Sequence, residues 1–193
     1  VPFELRKIVR PGNGRVLFGA DMAALEFRMT GALSGGELFT FLNKPEDDAR
    51  KYDPAYDPHS LVAAMVFGPL FTEAEPGKKK KLRDTIKRVV YGRNYRAGPP
   101  TIFEVLRKDL PGLSLPLVTK IVAAYDNRFP EVGEFARRSL AQAEIDRALF
   151  SPILRRRRSF LFGDIPPTDA ANFPIQSGSS DIVNISTEAL YDR

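Results

Sequence analysis

An α+β fold is predicted, with strands toward the two ends of the chain and a mostly helical stretch between them. Three observations predict it. Arg15-Val16-Leu17-Phe18-Gly19-Ala20-Asp21 is a short apolar run ending in an acid, which reads as a buried strand with Asp21 at its tip. The middle of the chain carries apolar residues at helical spacing. Ile153 to Phe162 sets aromatic and β-branched residues among arginines in the manner of a hairpin strand.

Taken in order, the chain turns helical after Asp21. Leu25, Met29 and Leu33 recur every four residues between Ala23 and Leu33, Glu26 lies on a different face, and Gly35-Gly36 ends the helix. Asn43 to Pro58 is rich in Pro, Asp and Lys without a period and reads as an exposed loop; Pro58 then opens a helix through Phe67. The lysine run Lys78 to Lys81 leads into an amphipathic helix to about Ala97, with Leu82, Ile86, Val89 and Val90 on one side and Pro99-Pro100 as its stop. Shorter helices are expected over Thr101 to Lys108 and Leu115 to Asn127, and a longer one from Pro130 to about Arg147. Asp169 to Tyr191 reads as a helix broken or entered near Pro174.

Composition narrows the function. The 193 residues suffice for a core but leave little room for accessory domains. With 43% hydrophobic and 27% charged residues the chain belongs with folded globular proteins, and a cytoplasmic setting is expected. No apolar run is long enough to cross a bilayer, and the start lacks the pattern of a signal peptide. The missing initiator Met suggests a trimmed or partial chain. Absent cysteine excludes disulfides, thiolate metal sites and a cysteine nucleophile, and one histidine, His59, excludes a multi-histidine metal cluster. A net charge of +5 and a pI near 9.5 favour a polyanionic partner, though a solvated basic surface gives the same numbers.

Three constellations carry chemistry. Asp21 with Glu26 puts carboxylates at a strand tip and on the next helix, where they suit either a helix cap or a hard cation such as Mg²⁺. Arg83, Lys87, Tyr91 and Tyr95 follow at intervals of four. Two cations and two phenol rings therefore share a broad helix face, fit for a nucleoside triphosphate or simply for solvent. Asn172 and Gln176, one turn apart, can meet minor-groove edges or cap their own helix.

The order and flanks of these residues carry a family resemblance. Asp21, four residues, Glu26, one residue and Arg28 resembles the first catalytic motif of family A (polymerase I-like) DNA polymerases. Asp57-Pro58-His59-Ser60 resembles the family's Asp-x-His segment. Arg83-x3-Lys87-x3-Tyr91-Gly92-x2-Tyr95 is similar to its fingers helix. Asn172-Phe173-Pro174-Ile175-Gln176 resembles its Asn-x-Pro-x-Gln palm helix, in a form like phage members of the family.

The resemblance implies palm over 1–31 and 151–193, with fingers over 32–150. It implies a template-directed DNA polymerase acting on primer-template DNA and deoxynucleoside triphosphates. Asp21, with a backbone carbonyl at Met22, would hold two Mg²⁺ ions. Glu26 would crowd the sugar 2′ position, and Arg83, Lys87 and His59 would bind the triphosphate, Lys87 also giving a proton to pyrophosphate. Tyr91 in a position that is Phe or Tyr in the family implies ready use of dideoxynucleotides. Tyr95 would stack on the template side and Gly92 would let the templating base approach. Arg28, Asn172 and Gln176 would contact DNA. The family's later His-Asp motif, which completes the metal site, has no match here, nor does the thumb. The expectation is therefore a fragment or split subunit needing a second polypeptide with that motif. Two rivals share parts of the pattern: a piece of a single-subunit RNA polymerase, against which Glu26 argues, and a non-catalytic nucleic-acid or nucleotide-binding module.

Overall fold

A computed structural model describes residues 10, 12–16, 22, 24–44 and 50–191. The expected first strand falls mostly on residues 17–21, which with Asp21 itself lie outside the described residues; Arg15 and Val16 are not in a strand. The described chain is α1 (Leu25–Ser34), α2 (Gly36–Leu42), α3 (Pro58–Phe67), α4 (Pro69–Thr72), α5 (Pro76–Asn94), α6 (Pro99–Leu106), α7 (Leu115–Arg128), α8 (Pro130–Asp146), β1 (Ala148–Phe150), β2 (Arg157–Ser159) and α9 (Pro167–Tyr191). The fold is α+β, dominated by helices, with one small antiparallel sheet among the described residues.

Prolines start these helices more often than they stop them. α3 opens on Pro58 behind the Asp57 cap, whose Oδ2 accepts the Ser60 N–H at 2.7 Å. α7 opens behind Ser114, whose Oγ accepts the Leu117 N–H. Pro99 and Pro100, expected as the stop of the basic helix, instead begin α6, because the first turn lacks intrahelical acceptors for its N–H groups anyway. α5 stops earlier, at Asn94. Arg96 takes a left-handed conformation (φ 64), and the Arg96 and Ala97 N–H groups turn back onto the carbonyls of Arg93 and Gly92. Arg147 does the same at the end of α8 (φ 50), close to the expected end of that helix, and sends the chain directly into β1, a strand the sequence does not predict. α9 runs through Pro174 without breaking, since Ala170, Ala171 and Ile175 on either side of it are buried and their packing outweighs the lost backbone bond.

The main apolar cluster joins α1, α2, α3, α5, α6 and α7 through Phe27, Leu38, Val62, Ile86, Ile102 and Ile121. The hairpin pairs Ala148 with Ser159 and Phe150 with Arg157, and packs Leu149 and Phe160 against Ala143 of α8 and Ala170 of α9. A third cluster, Met29, Phe135 and Ile175, fastens α1 to α8 and α9. α1 is thus the element shared by the helical middle and the C-terminal helix.

The α1–α2 corner, which the sequence reading left without a helix, depends on glycine. Gly36 has φ 67, and a Cβ there would fall 2.8 Å from the Glu131 carboxyl carbon, whose Oε1 accepts the Leu38 N–H at 2.8 Å. Gly36→Ala combines a left-handed cost of roughly 1–2 kcal/mol with loss of that bond. We expect destabilisation of about 2–3 kcal/mol in urea unfolding, whereas Gly77→Ala, with open space around its Cβ, should be close to neutral.

Candidate functional site

The basic helix α5 presents its residues as the four-residue spacing requires, with Ile86, Val89 and Val90 buried on one side. On the other side the stripe is not uniform. Lys87 is exposed, with its Nζ 5.7 Å from the centre of the Tyr91 ring. Arg83 is buried, its side chain 8% exposed, and its Nε and Nη2 donate to the two oxygens of Asp57 at 2.9 and 2.6 Å. Burial alone would raise the Asp57 pKa, but His59 and Arg83 hold its carboxyl well below the usual carboxylate range.

His59 lies beneath this pair. Its ring is stacked parallel to Tyr91 at 6.3 Å and sits 4.8 Å from Phe27, and it is 4% exposed. Neither ring nitrogen has a hydrogen-bond partner, Nδ1 being 3.7 Å from Asp57, too far to count as one. Burial pushes its pKa below 6.5; Arg83 and Lys87 push the same way and Asp57 opposes them. Unfolded, the imidazole takes up a proton near 6.5, whereas folded it does so only at lower pH. Stability is therefore lost as pH falls below about 6.5, by up to about 1.4 kcal/mol per pH unit. Asp57, with a lowered pKa, contributes its full share above about pH 4 and adds no slope in that window. Thermal melts at pH 7.5 and 5.5 should show a drop for the native chain and a smaller one for His59→Phe.

At the C-terminal end of α5, three residues singled out from the sequence share one small open pocket. Glu26, Phe27 and Thr30 of α1 face Tyr91 and Asn94 of α5 and Tyr95 at its C-terminal cap, with Ile175 of α9 completing the lining. The Tyr95 hydroxyl donates to the Glu26 carboxylate. Burial first, and then Glu26, raise the pKa of Tyr95, and the same two causes raise that of Tyr91. The helix end is held rigidly: the Tyr125 hydroxyl donates to Asn94 Oδ1 at 2.8 Å, and Arg93 grips Asp126 through Nε and Nη2.

Asn172 and Gln176 of α9 do not behave alike. Gln176 is exposed, while Asn172 is half-buried with its amide 3.5 Å from the Tyr95 carbonyl and its Oδ1 buried without a partner. Arg28 donates to the Leu42 carbonyl at 2.8 Å. Gly92 faces Ile102, where a Cβ would come within 3.0 Å of Cγ1, so here it serves the close approach of α5 and α6. Met22 is 38% exposed, next to Asp21 outside the described residues. Among the described residues no group of three or more His, Asp or Glu converges as a metal site. No helix among them is long and apolar enough to cross a membrane.

In the sequence Asp57 stands out only as a neighbour of His59, and its partnership with Arg83, 26 positions on, is not legible there. The one available signal was Asp-Pro-x-Ser, a cap that fixes a carboxylate at a helix start.

Residues 2–193 match a family model described as DNA polymerase family A. Among solved structures, the chain is similar to the POL domain of Pol1 from M. smegmatis, in complex with DNA primer-template and dNTP. The TM-score is 0.60 at 23% identity, over 89% of this chain and 29% of that one. The likeness is one of fold, and the chain spans less than a third of that chain's length. No curated protein matches.

Proposed function

The chain belongs to DNA polymerase family A, and from that premise we propose that it supplies the nucleotide-binding face of a template-directed DNA polymerase, which adds deoxynucleotides to a primer 3′ end. The observation that carries the reading is the convergence of Glu26, Tyr91 and Tyr95 on one pocket, with Lys87 exposed one turn along the same helix. A sugar and base in that pocket would lie on phenol rings, and their phosphates would extend toward Lys87 and Arg83. Residues 1–31 and 151–193 would belong to the palm and 32–150 to the fingers.

In this mechanism Lys87 binds the triphosphate through charge-assisted hydrogen bonds and gives a proton to the departing pyrophosphate. Arg83 contributes its planar fork to the same phosphates, with His59 close by. Glu26, fixed by Tyr95, occupies the space a 2′-hydroxyl would need. Tyr95 lies on the template side; Gln176, Asn172 and Arg28 track the primer-template. Asp21 and the Met22 carbonyl would hold Mg²⁺. When bound, a pair of such ions supplies activation of the primer hydroxyl and neutralisation of pyrophosphate charge. The second carboxylate that the ions need would come from polypeptide beyond these 193 residues, either continuous with them or a separate partner. A cytoplasmic setting, that of the host cell if a phage encodes the chain, suits such a substrate.

The test is templated primer extension by this chain together with a polypeptide carrying the family's His-Asp motif. Extension by the mixture that disappears in Asp21→Asn is the expected result. A persistently inactive mixture contradicts the partner, and extension unaffected by Asp21→Asn contradicts the site.

A further inference from the structure

Arg83 is the cation that a triphosphate would need most, because its fork matches phosphate oxygens two at a time. Its fork is already occupied. Asp57 takes two of its five N–H donors, at 2.9 and 2.6 Å, and the pair is shielded, with side chains 8% and 15% exposed. What faces an incoming nucleotide is therefore a neutral ion pair. Asp57 itself is fixed in place by its cap on α3, where Oδ2 also accepts the Ser60 N–H at 2.7 Å. Beside it lies His59, 3.7 Å from the carboxylate, with both ring nitrogens buried and without partners. A buried donor and a buried acceptor with nothing to bond are costly inside a protein, and a second state of the molecule that uses them accounts for their being kept.

We propose that Asp57 is an internal counter-ion for Arg83 that a bound triphosphate displaces, so that Asp57 sets the affinity of the site for polyphosphates and His59 takes over as its partner once Arg83 has turned away. The inference rests on the reading of Arg83 as a phosphate ligand. Two effects act in the same direction. Releasing Arg83 from a carboxylate costs more than releasing it from a neutral group, and the carboxylate repels the arriving phosphates at short range. A neutral side chain at 57 removes both obstacles. Asn is the substitution of choice, because it caps a helix as well as Asp does and leaves the Ser60 N–H satisfied.

The experiment is calorimetric titration of inorganic tripolyphosphate into the 193-residue chain and three variants, Asp57→Asn, Arg83→Lys and the double variant. Thermal melts establish that each is folded, and Asp57→Ser serves as a second neutral cap. We expect Asp57→Asn to bind about tenfold or more tightly. Arg83→Lys should bind more weakly, and the double variant should gain little over Arg83→Lys alone. If Arg83→Lys weakens binding while Asp57→Asn and Asp57→Ser bind no better than the native chain, the counter-ion role is wrong and the phosphate site stands. Should both neutral variants lose the fold, the carboxylate serves the fold and the inference is likewise overturned. Binding by Arg83→Lys equal to the native chain, or no binding by any of the proteins, removes the phosphate site and the inference together.

Discussion

Lys87→Ala in the extending assembly should lower kcat/KM for deoxynucleotide addition by about 10²- to 10³-fold while leaving thermal stability almost unchanged. Its ammonium is exposed and lies 5.7 Å from the centre of the Tyr91 ring, so little of the fold depends on it. Substitutions of that kind stay within about 0.5 kcal/mol of neutral. The loss in rate combines a charge-assisted phosphate contact, worth about 1.5–3 kcal/mol, with whatever proton donation contributes. Arg83→Ala makes the contrast. It leaves the shielded Asp57 carboxylate without its partner, so we expect about 3 kcal/mol of destabilisation besides a fall in kcat/KM. Steady-state kinetics beside denaturant unfolding separates the two. Unchanged kcat/KM in Lys87→Ala would remove this residue from the phosphate site.

The second large effect is on the choice of sugar. Glu26 is half-buried, lines the pocket shared with Tyr91 and is held there by the Tyr95 hydroxyl. Glu26→Ala empties the space next to the expected 2′ position, and the ratio of ribonucleotide to deoxynucleotide kcat/KM should rise by about 100-fold, a range that differential pocket contacts reach. Competition between dTTP and UTP on a defined template reads this ratio. A native chain that already prefers ribonucleotides would favour the RNA-polymerase reading. An unchanged ratio in Glu26→Ala would place the sugar elsewhere.

Local signals in the sequence located most helices and ran out where tertiary packing decides. Pro58 to Phe67 was legible to the residue because a cap and a first-turn proline mark its start and Gly68 its end. The same residue type misled at Pro99-Pro100, since proline is compatible with a first turn and incompatible only with what precedes it. β1 was hidden because Ala148-Leu149-Phe150 continues the apolar pattern of α8; only the left-handed Arg147 separates the two. Pro174 looked like a break because the burial of its neighbours cannot be read from one segment.

For the site, the four-residue stripe points to Lys87 and Tyr91, which lie together on α5 with Tyr95 just past its end, and Glu26 is set on a different face from Leu25, Met29 and Leu33. Spacing could not say that Tyr95 bonds Glu26 across 69 positions, or that Arg83 is turned inward onto Asp57. Those contacts depend on how α1 and α3 pack against α5, which is a property of the core and not of any one helix.

On the proposed reading the nucleotide binds along α5 from Arg83 to Tyr91, with Tyr95 at the end of the helix. His59 reports on it directly, being the chain's single histidine and lying between Asp57 and the Tyr91 ring. Titrating dTTP with Mg²⁺ while following the His59 ring resonances should give a saturable shift that Lys87→Ala weakens by tenfold or more. Resonances that stay in place at saturating nucleotide, or that shift identically in Lys87→Ala, would contradict it.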